Sequence, residues 1–215
     1  MSKLLSASFA YVMNQDPFRL TDDDWSFLNA SGWFPFTSLP LDTRRSFLSF
    51  ARSRLDPDLL QPKVKEFLDL RLPHLIENWS RKASFAAHAE LLEHAASEFL
   101  EGDYLSAIAL VIPRIEGLMR DVQTSAAAEE KASPRNLTAR LLEGRREELH
   151  EHSWLLPRRF IQFLHEWYFA NFAPGQPAKL SRHSVAHGVA SLSDFNEKTA
   201  CVAFLTLDQM CWMLP

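Results

Sequence analysis

Between Gly102 and Val122 the chain reads GDYLSAIALVIPRIEGLMRDV, and Tyr104, Ile108, Val111, Ile115 and Leu118 recur at alternating four- and three-residue steps. That period places the five side chains on one face of an α-helix, which must then be covered by other elements. Asp103 is a natural N-cap for this helix. Pro113 lies inside the stripe, where it frees one carbonyl and predicts a kink. Helical periodicity continues through nearly all of the 215 residues, 47% of them hydrophobic, enough for one sizeable core or one core plus a small annex. Only 6 glycines accompany 12 prolines, which argues against a many-turned β-sandwich and against a glycine-rich phosphate-binding fold. The fold class this predicts is all-α, a multi-helix bundle.

Thr21 offers an N-cap before Asp22, Asp23 and Asp24, so a short helix is expected there. The following NASGWFPFTSLPLD is a loop rich in aromatics and prolines. Further helices are predicted at about 43–54, 60–78 (interrupted near Pro73), 82–101, 136–150, 157–172, 178–187 and 194–213, with 122–135 as a polar connection. No repeat of 20–50 residues is visible. Residues 1–80 read as a helical and loop annex without assignment, and 81–215 as the bundle proper. Along the last helix Ala200, Phe204, Leu207, Cys211 and Leu214 form one stripe, while Val202, Leu205, Met210 and Trp212 make its other sides apolar. A helix apolar on several faces is either central in the bundle or shared with a second subunit.

Purely apolar runs reach about six residues, as in Ala107 to Ile112, too short to span a membrane. The N-terminal MSKLLSASFAYVMNQD has no signal-peptide pattern, so a cytoplasmic protein is expected. Cys201 and Cys211 lie ten residues apart on one predicted helix. They are separated by roughly 15 Å, beyond disulfide reach, and read as core thiols. A net charge of −4 argues against a general polyanion binder but leaves room for a small local RNA site. No phosphate-binding loop, GxSxG or HExxH motif occurs. His88 and His94 are turned about 240° apart on a helix, and Glu147-x-x-His150 stands alone where a di-iron bundle needs two such elements. Both stretches read as solvated helix face, and neither a metal nor another cofactor is expected.

Seven Arg–His pairs in the chain have four to six residues between them, so spacing by itself selects none. Context selects Arg182 and His187 in SRHSVAHGVAS. Here alone the arginine is followed by a polar ring, His183, and the histidine by glycine, Gly188. His183 and His187 share a helix face as i and i+4. Arg182 lies about 140° from His187, but its long side chain can reach around the helix. Ser181 can cap this helix and Gly188 can end it.

LSRHSVAHG followed by a long apolar helix resembles the signature of the HEPN superfamily: Arg, a polar residue, a few residues, then His. Upstream, GDYLSAIALVIPRIEGLMRD resembles the helix that precedes the motif in one branch of that superfamily. His183 stands where that branch often has Asn. The resemblance covers about residues 82 to 215 and implies a HEPN-like helical bundle acting as a metal-independent endoribonuclease. Such proteins are usually homodimeric, with the two motifs meeting in a cleft between subunits. It implies that His187 transfers protons, that Arg182 binds the scissile phosphate, and that His183 orients the phosphate or serves as a second proton carrier. Glu116 and Arg120 would either buttress the site from the neighbouring helix or stand on its solvated surface. The implied setting is a toxin or anti-phage effector, with RNA as substrate and an antitoxin or regulatory protein as partner. The alternative is a non-catalytic HEPN-like module that binds a partner or a nucleotide. It would need an exposed apolar surface such as Trp33, Phe34 and Phe36, whereas those aromatics are expected to tuck onto the bundle.

Overall fold

A computed structural model describes residues 20–125, 133–143, 155–171 and 181–214, so the N-terminal reading of residues 1–19 lies outside it. Among the described residues there are ten α-helices and no strand, as the periodicity predicts. They are α1 (Asp22–Ala30), α2 (Leu41–Ser53), α3 (Gln61–Ser80), α4 (Ala83–Ala86) and α5 (Ala89–Glu101). Then follow α6 (Tyr104–Ser125), α7 (Pro134–Glu143), α8 (Leu155–Glu166), α9 (Arg182–Ala186) and α10 (Glu197–Met213). Short 3-10 turns lie at Pro57–Leu60 and Leu192–Asp194. No helix is long and apolar enough to cross a membrane among these residues.

α10 is buried on all sides, from Ala200 to Leu207 without a break and again at Gln209, Met210, Cys211 and Met213. Of the two readings of this helix, the bundle therefore takes the central one: a single chain already covers every face. α3 and α6 pack directly on α10, α5 packs on both of them, and α7 and α9 pack on α6. Cys201 and Cys211 are buried thiols outside any disulfide, and burial pushes the Cys201 thiol well above its ordinary range. Polar groups on α10 reach across the bundle. The Trp79 indole donates to Asp208 at 2.9 Å, and Gln209 Oε1 accepts from the Thr37 backbone N–H and hydroxyl, each at 3.0 Å.

Trp33, Phe34 and Phe36 are fully buried. Phe34 meets Phe160 and Phe163 of α8 with ring centroids 5.5 Å apart in both cases, and the Trp33 indole donates to Asp58 at 2.7 Å. The aromatic loop is core, so it offers no exposed apolar surface. It belongs to one contiguous cluster that also holds Leu68, Trp79, Phe99 and Phe204.

Several boundaries differ from expectation. α3 runs unbroken through Pro73, because Leu72, Leu75, Ile76 and Trp79 are buried around the missing hydrogen bond and hold the helix together. The stretch 82–101 forms two helices, α4 and α5, with a turn at Ala87 and His88. That turn carries His88 beneath α6, where it is 7% exposed and its Nε2 lies 2.8 Å from Asp121. His88 is therefore buried, not part of a solvated face; His94, which pairs with Glu98 across one turn, is exposed. α6 extends to Ser125, into the expected connection, of which 126–132 lie outside the described residues. So do 144–150, with Glu147 and His150, as well as residue 172 and residues 178–180 of the neighbouring expected helices.

Candidate functional site

α9 has only five residues, too few to be held by its own ladder, and its ends define it. Ser181 accepts from the Ser184 N–H at 3.3 Å, and Ser184 Oγ accepts from the Ser181 N–H at 2.8 Å, a capping box formed by two buried serines. Gly188 leaves the helix at φ +65°, the left-handed conformation expected of a C′ residue. One further bond sets where this short helix sits: the Arg182 N–H donates to the Tyr168 carbonyl at 3.0 Å.

The same Tyr168 reaches α6. Its buried hydroxyl accepts from the Glu116 N–H at 3.1 Å and donates to the Ile112 carbonyl at 2.8 Å. In a regular α-helix those two backbone groups would bond to each other. A tyrosine hydroxyl therefore bridges a rung of α6 in the turn containing Pro113, the position where sequence predicts a disturbed helix. Burial, and then the Glu116 charge, push the Tyr168 phenol far above its ordinary range, so it remains a donor.

Glu116 is the hub of the site. It is 8% exposed, and its Oε1 accepts from Arg120 Nε at 2.7 Å, with Arg120 Nη2 at 2.5 Å. Its Oε2 pairs with Arg182 Nε. One buried carboxylate thus fixes two guanidinium forks from different helices. Arg182 Nη1 lies 3.4 Å from His183 Nε2, and because arginine only donates, a hydrogen bond there needs His183 neutral and accepting through Nε2. Burial, then the charges of Arg182 and His187, hold the His183 pKa below its ordinary value against a smaller opposing pull from Glu116. The His183 and His187 rings are parallel, 1° from coplanar orientation with centroids 6.1 Å apart, as the i, i+4 spacing predicts. His187 itself is exposed.

Between α6 and α9 runs a groove of about 330 Å³. Its charged lining is Arg114, Glu116, Arg120 and Arg182, and Pro113, Val185 and Ala186 contribute apolar wall. Of the residues selected from sequence, Arg182, Glu116 and Arg120 are joined directly, His183 is joined to Arg182, and His187 stacks on His183. The two histidines do not line the groove. Sequence reasoning missed Tyr168, whose setting in EWYFANF carries no distinguishing spacing, and Arg114. Among the described residues no three His, Cys, Asp or Glu side chains converge as metal ligands would. Comparison with protein-family models, with curated proteins and with solved structures finds no match for this chain.

Proposed function

We propose that the protein is a metal-independent endoribonuclease of the HEPN type, and that the Arg182–His187 segment with its α6 partners is the active site. The observation that carries this reading is the Glu116-centred cluster. A buried carboxylate orients two arginine forks at the edge of a groove, with one imidazole against Arg182 and a second stacked on the first. A phosphodiester needs such donors to steady the charge that grows on phosphorus oxygens in the transition state.

RNA supplies its own nucleophile. In the proposed reaction the 2′-oxygen forms a bond to phosphorus, the bond from phosphorus to the 5′-oxygen breaks, and the products are a 2′,3′-cyclic phosphate and a 5′-hydroxyl. His187 takes the proton from the 2′-OH or returns one to the leaving 5′-oxygen. Arg182 engages the scissile phosphate, and neutral His183 orients it or serves as the second proton carrier. Glu116 and Arg120 hold Arg182 in register. The active form in this reading is a cytoplasmic homodimer whose two motifs face one cleft, working as a toxin or anti-phage effector under an antitoxin or other regulatory protein.

Purified protein incubated with mixed RNAs in excess EDTA tests the proposal. Cleavage should persist in the chelator and disappear in Arg182→Ala and His187→Ala. Full activity in both variants would sink the site assignment, and loss of activity in EDTA would point to a metal. Absence of cleavage together with a stably co-purifying partner would favour the non-catalytic module.

A further inference from the structure

We infer that Arg114 is a second phosphate-contacting residue of this groove, so that the site takes a polynucleotide strand with successive phosphodiesters and not an isolated phosphate. The inference rests on the proposed function and adds to it a second contact along the strand. Arg114 makes no hydrogen bond or ion pair among the described residues, although its side chain is half-buried in the groove wall. Its own helix offers no acid to neutralise it: the residues at i±3 and i±4 are Val111, Gly117, Leu110 and Leu118. Arg120 and Arg182, by contrast, share Glu116. Three guanidiniums against one carboxylate leave the groove lining at +2 (3 − 1), within a chain of net charge −4. Its guanidinium nitrogens are open to the groove and unpaired, so an anion that enters meets a full fork of free donors.

The spacing suits a strand. Arg114 and Arg120 lie six residues apart on α6, about 9 Å along the axis and about 240° in rotation, yet both side chains line the groove. Arg182, tied to Glu116 beside Arg120, marks the scissile end, and Arg114 marks the point where the neighbouring phosphate passes. Apolar Pro113 and Val185 leave a wall against which a base or ribose can lie.

Two measurements on the full chain separate this inference from the reading beneath it. Binding of a non-cleavable all-2′-deoxy octanucleotide is followed by fluorescence anisotropy over a range of salt. Arg114→Gln should weaken binding by about tenfold and reduce the slope of log K against log salt by about 0.7, the value for one lost contact to a single strand. Arg71→Gln, an equal charge loss on exposed α3, should change neither. In cleavage assays Arg114→Gln should raise KM for an oligoribonucleotide with kcat within about twofold, and leave a dinucleotide with one phosphodiester unaffected. Unchanged affinity and slope would overturn the Arg114 assignment, as would equal losses on the dinucleotide and the oligomer. Oligonucleotide binding that depends on Arg114 without any RNA cleavage would instead sink the catalytic reading and leave the strand contact standing. If the wild-type chain failed to bind the octanucleotide, both would fall.

Discussion

Replacing Tyr168 by Phe deletes one oxygen and tests how α6 and α9 are tied together. The hydroxyl makes two buried bonds, one from the Glu116 N–H at 3.1 Å and one to the Ile112 carbonyl at 2.8 Å. If the turn re-closed fully in the variant, those groups would pair with each other and the net loss would be one hydrogen bond, about 1 kcal/mol. If they stayed apart, two buried backbone groups would be orphaned at about 1–3 kcal/mol each. The phenyl ring still occupies the gap and Pro113 remains in the same turn, so partial closure is expected, with a loss of about 2 kcal/mol. For a domain of this size that lowers Tm by about 4–8 °C. Chemical denaturation gives the free energy, and hydrogen exchange at the Glu116 amide gives the location. A loss below about 0.5 kcal/mol, with the Glu116 amide as protected as before, would refute the bridged rung.

Gly117→Ala sets two effects against each other. Alanine gains about 1 kcal/mol of helix propensity, but its Cβ would lie 3.1 Å from His88 Cε1, and that buried ring is held by Asp121 at 2.8 Å. Overpacking of about 1–3 kcal/mol wins, so the variant should lose about 1 kcal/mol, and the same change in a His88→Ala background should stabilise. Stabilisation in the wild-type background by urea titration would show that His88 yields. Ser181→Ala removes the buried cap of α9 and should cost about 1 kcal/mol, whereas Ser191→Ala at the exposed 3-10 turn should stay within about 0.5 kcal/mol. Equal effects of the two would mean that the α9 capping box carries no special weight. Burial raises the Asp208 pKa, opposed by the hydrogen bond from Trp79. A raised folded pKa favours the protonated folded form, so this contribution is complete below the unfolded value of 3.8 and is lost as pH rises through the folded pKa. Asp208→Asn should accordingly match the wild type near pH 3 and exceed it at pH 7 by about 1–2 kcal/mol, with the divergence visible in Tm against pH. Equal stability across that range would show that the buried carboxyl pays no penalty on ionising.

What could be read from sequence follows from how local each feature is. Thr21 with Asp24, Asp103 with Ser106, and Ser181 with Gly188 are contacts within four or so residues or single-residue conformations, and each appears where the residue types predict. The stripe on α6 is legible for the same reason. Pro73 misleads because its penalty is local whereas its remedy, the burial of Leu72 and Trp79, is tertiary. His88 misleads similarly: a polar residue amid HAELLEH reads as surface until the turn at Ala87 swings it under a glycine of another helix. At the site, Arg182, Glu116 and Arg120 were selected from sequence and meet at one carboxylate. Tyr168 was invisible, since its partners lie 52 and 56 residues away and no periodicity records such a bond.

The central position of α10 has a consequence during synthesis. α3 and α6 each bury one face against a helix that has not yet been made when they leave the ribosome. The Trp79–Asp208 and Thr37–Gln209 bonds span 129 and 172 residues. At about 5–20 residues per second, the interval between completing α3 and completing α10 is on the order of 10 s. For that time the nascent chain presents apolar helix faces around an unfilled axis. Its need for chaperone protection is thus set less by the total size of the core than by the place of the organising helix in the order of translation.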